Sequence, residues 1–256
     1  MYFTMKKVLA RLSIVGLIAL IIGCGTSKTM LPWQYKPVNI QLAKELPADT
    51  SMERWLNGYS GKLRASMDQV IGTTTQALSK AQPESELGNY LADALLEVAK
   101  REYKREVHAA FINYGGVRAP LPKGNITVGN IFEVMPFDNL LVLQEMNGKV
   151  LQVFLDKIAA RGGWPIAGIE MKIKDKKAIE VKVQGKPLDE NTVYVIANSD
   201  YVATGGDDND ILKTIPVISS GYLMRDAFIA YTKMQTEQKK NIGSPLQKRI
   251  SYANAQ

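Results

Sequence analysis

The sequence predicts a mixed α/β (α+β) domain, and three observations carry that expectation. Short apolar runs at 107–112, 140–146 and 193–197 alternate with segments whose apolar residues recur every three or four positions. These are the patterns of buried strands and amphipathic helices. Residues suited to helix capping, Ser85, Thr127 and Asn147, stand at the borders between them. No internal repeat is visible, and the mixed order of the elements indicates an α/β or α+β domain.

The 256-residue chain opens on a targeting segment. Lys6 and Lys7 form a basic start, and residues 12–22 form an apolar stretch broken by Ser13 and Gly16. That stretch is shorter than the roughly 20 apolar residues of a membrane span. It ends Ile21-Ile22-Gly23-Cys24, a pattern similar to a bacterial lipobox, in which the cysteine is lipidated and becomes the mature N-terminus. Cys24 is the only cysteine, so no internal disulfide forms. The alternative is an ordinary thiol in a cleaved signal peptide. Residues 1–23 are thus expected as signal peptide and 24–50 as a lipidated tether. The tether mixes Gly25, Thr26, Ser27, Pro32, Pro37 and Pro47 without a period.

The folded domain is expected at 51–235. Trp55, Tyr59, Leu63 and Met67 recur every four residues and predict helix across 52–78, interrupted at Gly72. Leu87, Leu91, Ala94, Leu95 and Val98 form a second stripe, predicting a helix over 85–103 with Ser85 as N-cap. Residues 107–112 read as a strand, and Thr127 caps a short helix to 134. A strand over 140–146 precedes a helix over 149–161 capped by Asn147. Residues 169–174 and 179–184 alternate apolar and charged side chains, as in a hairpin with one wet face. Residues 193–197 read as a buried strand, 221–233 as the last helix, and 236–256 as a polar, frayed tail.

Composition narrows the function classes. A hydrophobic content of 46% supports a sizeable core. The formal charge is +7, and the leader carries Lys6, Lys7 and Arg11 with no acid, which leaves +4 on the mature chain. The densest basic group, Lys172, Lys174, Lys176 and Lys177, reads as a solvated edge strand and turn. No basic face suited to nucleic acid emerges.

Two glycine-containing loops carry the chemistry. Asn113-Tyr114-Gly115-Gly116-Val117-Arg118 follows one apolar run, and Tyr201-Val202-Ala203-Thr204-Gly205-Gly206-Asp207 follows another. Adjacent glycines admit φ > 0 and close approach of a ligand to the main chain. A guanidinium ends the first loop and suits an anion; a carboxylate ends the second and accepts hydrogen bonds from sugar hydroxyls. Phe137, following Pro136, and Tyr201 offer two aromatic rings on separate loops. They stack a base or pack in the core, and the residues alone favour neither. Arg118, Asn113 and Asp207 have bland readings too: a surface arginine, a turn former and an exposed acid in a turn.

With their flanks, these loops resemble the C-terminal domain of bacterial and animal 5′-nucleotidases. The matching stretches are Glu84-Ser85-Glu86-Leu87-Gly88-Asn89-Tyr90-Leu91-Ala92-Asp93-Ala94, Asn113 to Arg118, Asn125-Ile126-Thr127-Val128-Gly129 running into Val134-Met135-Pro136-Phe137, and Tyr201 to Asp207. Their order and spacing fit from about residue 52 to 233. The resemblance implies a layered α/β/β/α domain that binds the nucleoside part of a nucleotide, with hydrolysis and metals belonging to a separate N-terminal domain. It implies that Phe137 and Tyr201 clamp the base, although the family commonly has phenylalanine at both positions. It further implies that Asp207 holds the ribose hydroxyls, that Arg118 lies near phosphate and ribose, and that Asn113 faces the ligand. One departure stands out. Ala81, Gln82 and Pro83 occupy the place of a family arginine, so base and ribose contacts are better preserved than phosphate contacts.

No catalytic set is legible. Two-metal phosphoesterases need several His, Asp and Asn ligands, and this chain has one histidine, His108, inside a strand. There is no G-x-S-x-G elbow and no P-loop. An EF-hand loop starting at Asp207 needs an acid at its twelfth position, where Ile218 stands. No cofactor is expected in this chain, and divalent metals are expected only in a partner catalytic domain. Two functions follow: a recognition module working with a metallophosphoesterase partner in nucleotide catabolism, or a non-enzymatic envelope lipoprotein that binds a nucleoside-like molecule.

Overall fold

The computed structural model describes residues 50–253. Cys24, the leader and the tether up to residue 49 lie outside the described residues. In chain order the first elements are helix α1 (Thr50–Met67), strand β1 (Val70–Thr74), helix α2 (Glu86–Tyr103) and strand β2 (Ala109–Phe111). There follow β3 (Gly124–Thr127), α3 (Val128–Val134), β4 (Leu140–Asn147), α4 (Gly148–Ala160), β5 (Ile166–Ala167), β6 (Ile169–Lys174) and β7 (Lys177–Val183). The remainder is β8 (Lys186–Pro187), β9 (Val193–Ser199), α5 (Asp200–Ala203), β10 (Val217–Leu223), α6 (Met224–Glu237) and β11 (Ile250–Tyr252).

The helix starts form where capping side chains stand. The Ser85 hydroxyl accepts from the Gly88 amide at 3.0 Å, satisfying a donor that the first turn leaves unpaired. Thr127 and Asn130 build a reciprocal capping box on α3. The Asn147 side chain accepts from the Val150 amide at 3.0 Å and starts α4.

A five-stranded sheet in the order β10-β4-β9-β2-β5 is the centre of the domain. Its alternating side chains supply two cores. Ala110, Ile112, Val195 and Ala197 face one way and meet the buried stripe of α2 together with Met224, Ala227 and Phe228 of α6. Ala109, Phe111, Tyr194 and Ile196 face the other way, toward α4 and the four-stranded sheet β11-β6-β7-β8. Phe111, Phe154 and Trp164 stack edge-on in this second core, with centroids 5.0 and 6.0 Å apart. Each fully buried side chain of this size contributes about 1.5–3 kcal/mol.

Four expectations are corrected. The first helix stops at Met67, and β-branched residues turn 70–74 into a strand paired antiparallel with β3. Gly72 is therefore no helix breaker: a Cβ there would stand 2.9 Å from Thr236 Oγ1 and 3.1 Å from Ile242. No α1 residue is buried, and Trp55 and Tyr59 are 62% and 67% exposed, so the stripe faces away from both cores. The last helix begins at Met224 rather than Gly221, which belongs to β10.

The fourth correction concerns the end of the chain. Residues 250–252 pair in parallel with β6, so β6 is an internal strand and its lysines do not mark a sheet edge. Lys172 instead meets Glu180 across the ladder at 2.6 Å. Arg249, 8% exposed, forks onto the Asp93 carboxylate of α2 at 2.7 and 2.8 Å and donates to the Ile166 carbonyl. The folded unit therefore runs past residue 235.

Candidate functional site

Strand topology brings the site together. β2 and β9 are parallel neighbours, Ala109 opposite Ile196 and Ala110 opposite Ala197, so the loops that follow them leave the sheet side by side. β4 runs antiparallel to β9 with Leu141 opposite Ser199, so its start lies at the same end. The segment Pro136 to Asn139 arrives there directly. Three loops meet beyond the carboxyl ends of two parallel strands, the usual place for a ligand crevice in such sheets.

Between them lies a cavity of about 300 Å³ lined by Asn113, Arg118, Phe137, Tyr201 and Asp207, all five side chains expected from the sequence. Gly115 and Gly116 also line it, and so does Asn139, which the sequence reading had not singled out. The signal for Asn139 was its position two residues after Phe137. Neither ring is core: Phe137 is 39% exposed and Tyr201 45%.

Hydrogen bonds organise the polar side. Asn113, 7% exposed, donates from Nδ2 to Asp207 Oδ2 at 2.8 Å. The Asp207 amide donates to the Tyr201 hydroxyl at 3.3 Å, and that hydroxyl lies 3.4 Å from Asp207 Oδ1. A carboxylate has about four lone-pair positions, so acceptor capacity remains on the cavity side. Arg118 donates to the Gly115 carbonyl at 3.2 Å, and its guanidinium stands 5.8 Å from the Phe137 ring centre, within cation–π range.

The glycines act differently from expectation. Gly115 and Gly116 lie in a 3₁₀ turn and neither has a positive φ. Gly116 is needed for close approach, because a Cβ there would sit 2.6 Å from Asn113 Oδ1. In the second loop Gly205 is left-handed, φ 94°, and so are Asp207 and Asp208, φ 54° and 58°. Gly206 lets the chain pass beneath the Tyr201 ring, where a Cβ would approach to 2.4 Å.

Residues behind the cavity hold these loops, and sequence reasoning missed them. Lys80 donates to the Tyr114 and Val117 carbonyls at 3.2 and 2.7 Å and bridges the first loop from below. Asn209, fully buried, donates to the Gly206 and Asp207 carbonyls. Arg161 of the α4 C-cap meets Asp208 at 2.5 Å, and Lys157 donates to the Asp208 carbonyl. Asp210 pairs with Lys213 at 2.7 Å, and the ammonium holds its carboxyl below the usual range. The segment 81–83 is also structural: Gln82 donates to the Arg161 and Gly163 carbonyls.

Among the described residues no group of three or more His, Cys, Asp or Glu side chains is placed to hold a metal ion. His108 stands just before β2 rather than inside a strand; its Nδ1 accepts from the Val195 amide at 3.0 Å and its ring meets Tyr194 edge-on. The described residues do not fit a two-metal centre.

The family model for the 5′-nucleotidase C-terminal domain matches residues 70–214, more than half of the chain. The chain belongs to that family. It is 29% identical over 199 residues to Protein UshA of Yersinia enterocolitica, covering 73% of this chain and 35% of that protein. It is 28% identical over 217 residues to the trifunctional nucleotide phosphoesterase protein YfkN of Bacillus subtilis, covering 76% and 14%. Among solved structures, the 5′-nucleotidase precursor from Thermus thermophilus superposes with a TM-score of 0.68 at 28% identity, over 81% of this chain and 44% of that one. The NAD nucleotidase of Haemophilus influenzae shares the fold, with a TM-score of 0.62 at 18% identity. The chain thus spans less than half the length of each of these relatives.

Proposed function

We propose that this chain is the nucleoside- or nucleotide-recognition module of a 5′-nucleotidase-type phosphohydrolase, with metals and hydrolysis supplied by a separate metallophosphoesterase protein. The observation that carries it is the convergence of Asn113, Arg118, Phe137, Tyr201 and Asp207 on one cavity of about 300 Å³. Phe137 and Tyr201 stack the base, and Asp207, held by Asn113, accepts from the ribose hydroxyls. Among the described residues Arg118 is the one cation lining the cavity, and this reading assigns it to the phosphate side. The chain is held at the cell envelope by a lipid on Cys24, a reading supported by the basic start and the Ile-Ile-Gly-Cys sequence. The single lining cation also favours a second reading, a lipoprotein that binds nucleosides without turning them over.

Calorimetry with adenosine and AMP on wild type, Tyr201→Ala and Asp207→Ala tests the site. One stacked base contributes about 1–3 kcal/mol, so Tyr201→Ala weakens binding roughly fivefold or more. Adenosine and AMP bind comparably. No binding of either at millimolar concentration, or unchanged affinity in both variants, overturns the assignment. Phosphate release from AMP with added Mn²⁺ separates the roles: the isolated chain gives none, and robust release by rigorously purified protein refutes the need for a partner.

A further inference from the structure

Arg225 lies outside the segment matched by the family model and does not line the cavity. It is the second residue of α6, its side chain 9% exposed. Nη1 donates to the Phe137 carbonyl at 3.2 Å, and Nη2 meets Asp138 Oδ1 at 2.5 Å. The guanidinium lies 4.0 Å from the centre of the Phe132 ring. One residue earlier, the Met224 amide donates to the Asn139 carbonyl at 2.9 Å. The start of α6 therefore grips three consecutive residues, Phe137, Asp138 and Asn139, and two of them line the cavity.

This is a costly place for an arginine. A cation in the first turn opposes the helix macrodipole. Its Nε is buried without a hydrogen-bond partner, a desolvation penalty that buried donors ordinarily avoid. The partner carboxylate, Asp138, is 80% exposed, and an ion pair that open to water adds little stability. The Phe132 ring offsets part of the cost through the cation–π contact. What the arrangement does supply is geometry: a planar fork spans a carbonyl and a carboxylate at once, and a lysine lacks that fork.

We infer that Arg225 is a positioning residue that presets Phe137 for stacking a nucleobase from behind the loop, while Arg118 lies over the ring from the cavity side. The inference rests on the nucleoside site proposed above. Preset geometry lowers the ordering cost of binding, so its loss appears as weaker affinity.

The test is a double-mutant cycle of Arg225→Met with Phe137→Ala, read by adenosine calorimetry, thermal melting and hydrogen exchange of the amides of 137–140. Arg225→Lys is the second variant, in case the methionine substitution disturbs folding. Expected are about fivefold or greater weakening in Arg225→Met, a similar loss in Arg225→Lys, and little further loss when Phe137 is already alanine. Exchange at 137–140 quickens while that of β9 is unchanged. If wild type binds and both Arg225 variants stay within twofold, or Arg225→Met weakens Phe137→Ala as much as wild type, the inference falls and the site stands. Wild type that binds no adenosine removes the site and the stacking role together, whatever exchange shows.

Discussion

Adding one methyl group at either of two glycines separates the binding role of the loops from their role in the fold. At Gly206 the added Cβ lies 2.4, 2.5 and 2.6 Å from Cε1, Cζ and Cδ1 of Tyr201. Carbon atoms pack at about 3.5–4.0 Å, so ring or backbone must retreat by about 1 Å. The backbone is pinned, because Asn209 donates to the Gly206 and Asp207 carbonyls at 2.9 and 3.1 Å and is itself fully buried. The φ of Gly206 lies outside the left-handed region, so alanine adopts it without torsional strain. The Tyr201 ring is 45% exposed and swings outward at small cost.

Gly206→Ala is therefore expected to displace a stacking surface while changing stability by less than about 1 kcal/mol, typical of a substitution outside a packed core. Affinity for adenosine falls by about 1–3 kcal/mol, roughly 5- to 150-fold. Gly148 is the control. Its Cβ would stand 2.1 Å from the Asp189 carbonyl oxygen and 2.8 Å from the Glu190 Cα, where only backbone can yield. Gly148→Ala costs about 1–3 kcal/mol, lowering the melting temperature by roughly 2–12 °C, and leaves adenosine affinity unchanged. Calorimetry and thermal melting of both proteins form the assay. Unchanged affinity in Gly206→Ala, with the ring still required by Tyr201→Ala, refutes the placement of the stack.

Three further outcomes are expected. Arg249→Met removes the fork onto Asp93, a pair buried on the arginine side and 27% exposed on the other. Breaking it costs roughly 2–3 kcal/mol, or about 4–12 °C in melting temperature; a shift below 2 °C shows that this ion pair adds little to the hold on the C-terminal segment. Burial pushes the Tyr231 phenol up to about 12, with the Asp93 carboxylate adding to the rise, and burial raises Tyr90 further. Phenols raised in the folded state give stability that is complete below the unfolded value of about 10 and lost as pH climbs through the folded values. Stability against denaturant should therefore fall from pH 10 upward, and less so in Tyr231→Phe; a flat profile between pH 10 and 12 contradicts this. Cys24→Ser should leave the membrane pellet on fractionation, and full retention there refutes the anchor.

Local signals were legible because their causes are local. Ser85, Thr127 and Asn147 cap helices through bonds to amides three residues on, so spacing alone reveals them. The tail was not legible. Ile250-Ser251-Tyr252 is too short to announce a strand, and it is held by β6 and by an arginine bonded 156 residues back along the chain. The α1 stripe shows the converse: period four predicts a helix correctly and says nothing of what the stripe meets. The two loops were visible through their residues and the family resemblance. Their juxtaposition depends on β2 and β9 being parallel neighbours, and no spacing encodes that.

The glycine pairs show where backbone strain was placed. A Gly-Gly dipeptide permits a left-handed turn without requiring one, and in the first loop neither glycine makes it. In the second loop two aspartates take left-handed geometry in succession, at about 1–2 kcal/mol each. Asn209 holds one by its carbonyl, and Arg161 and Lys157 hold the other by carboxylate and carbonyl. A turn with no further duty would place its glycine at that position. An aspartate kept there, with its carboxylate between Asn113 and Tyr201, puts a fixed acceptor at the cavity wall before any ligand arrives. Strain held by that many partners beside a cavity supports a recognition role for Asp207 more directly than its exposure does.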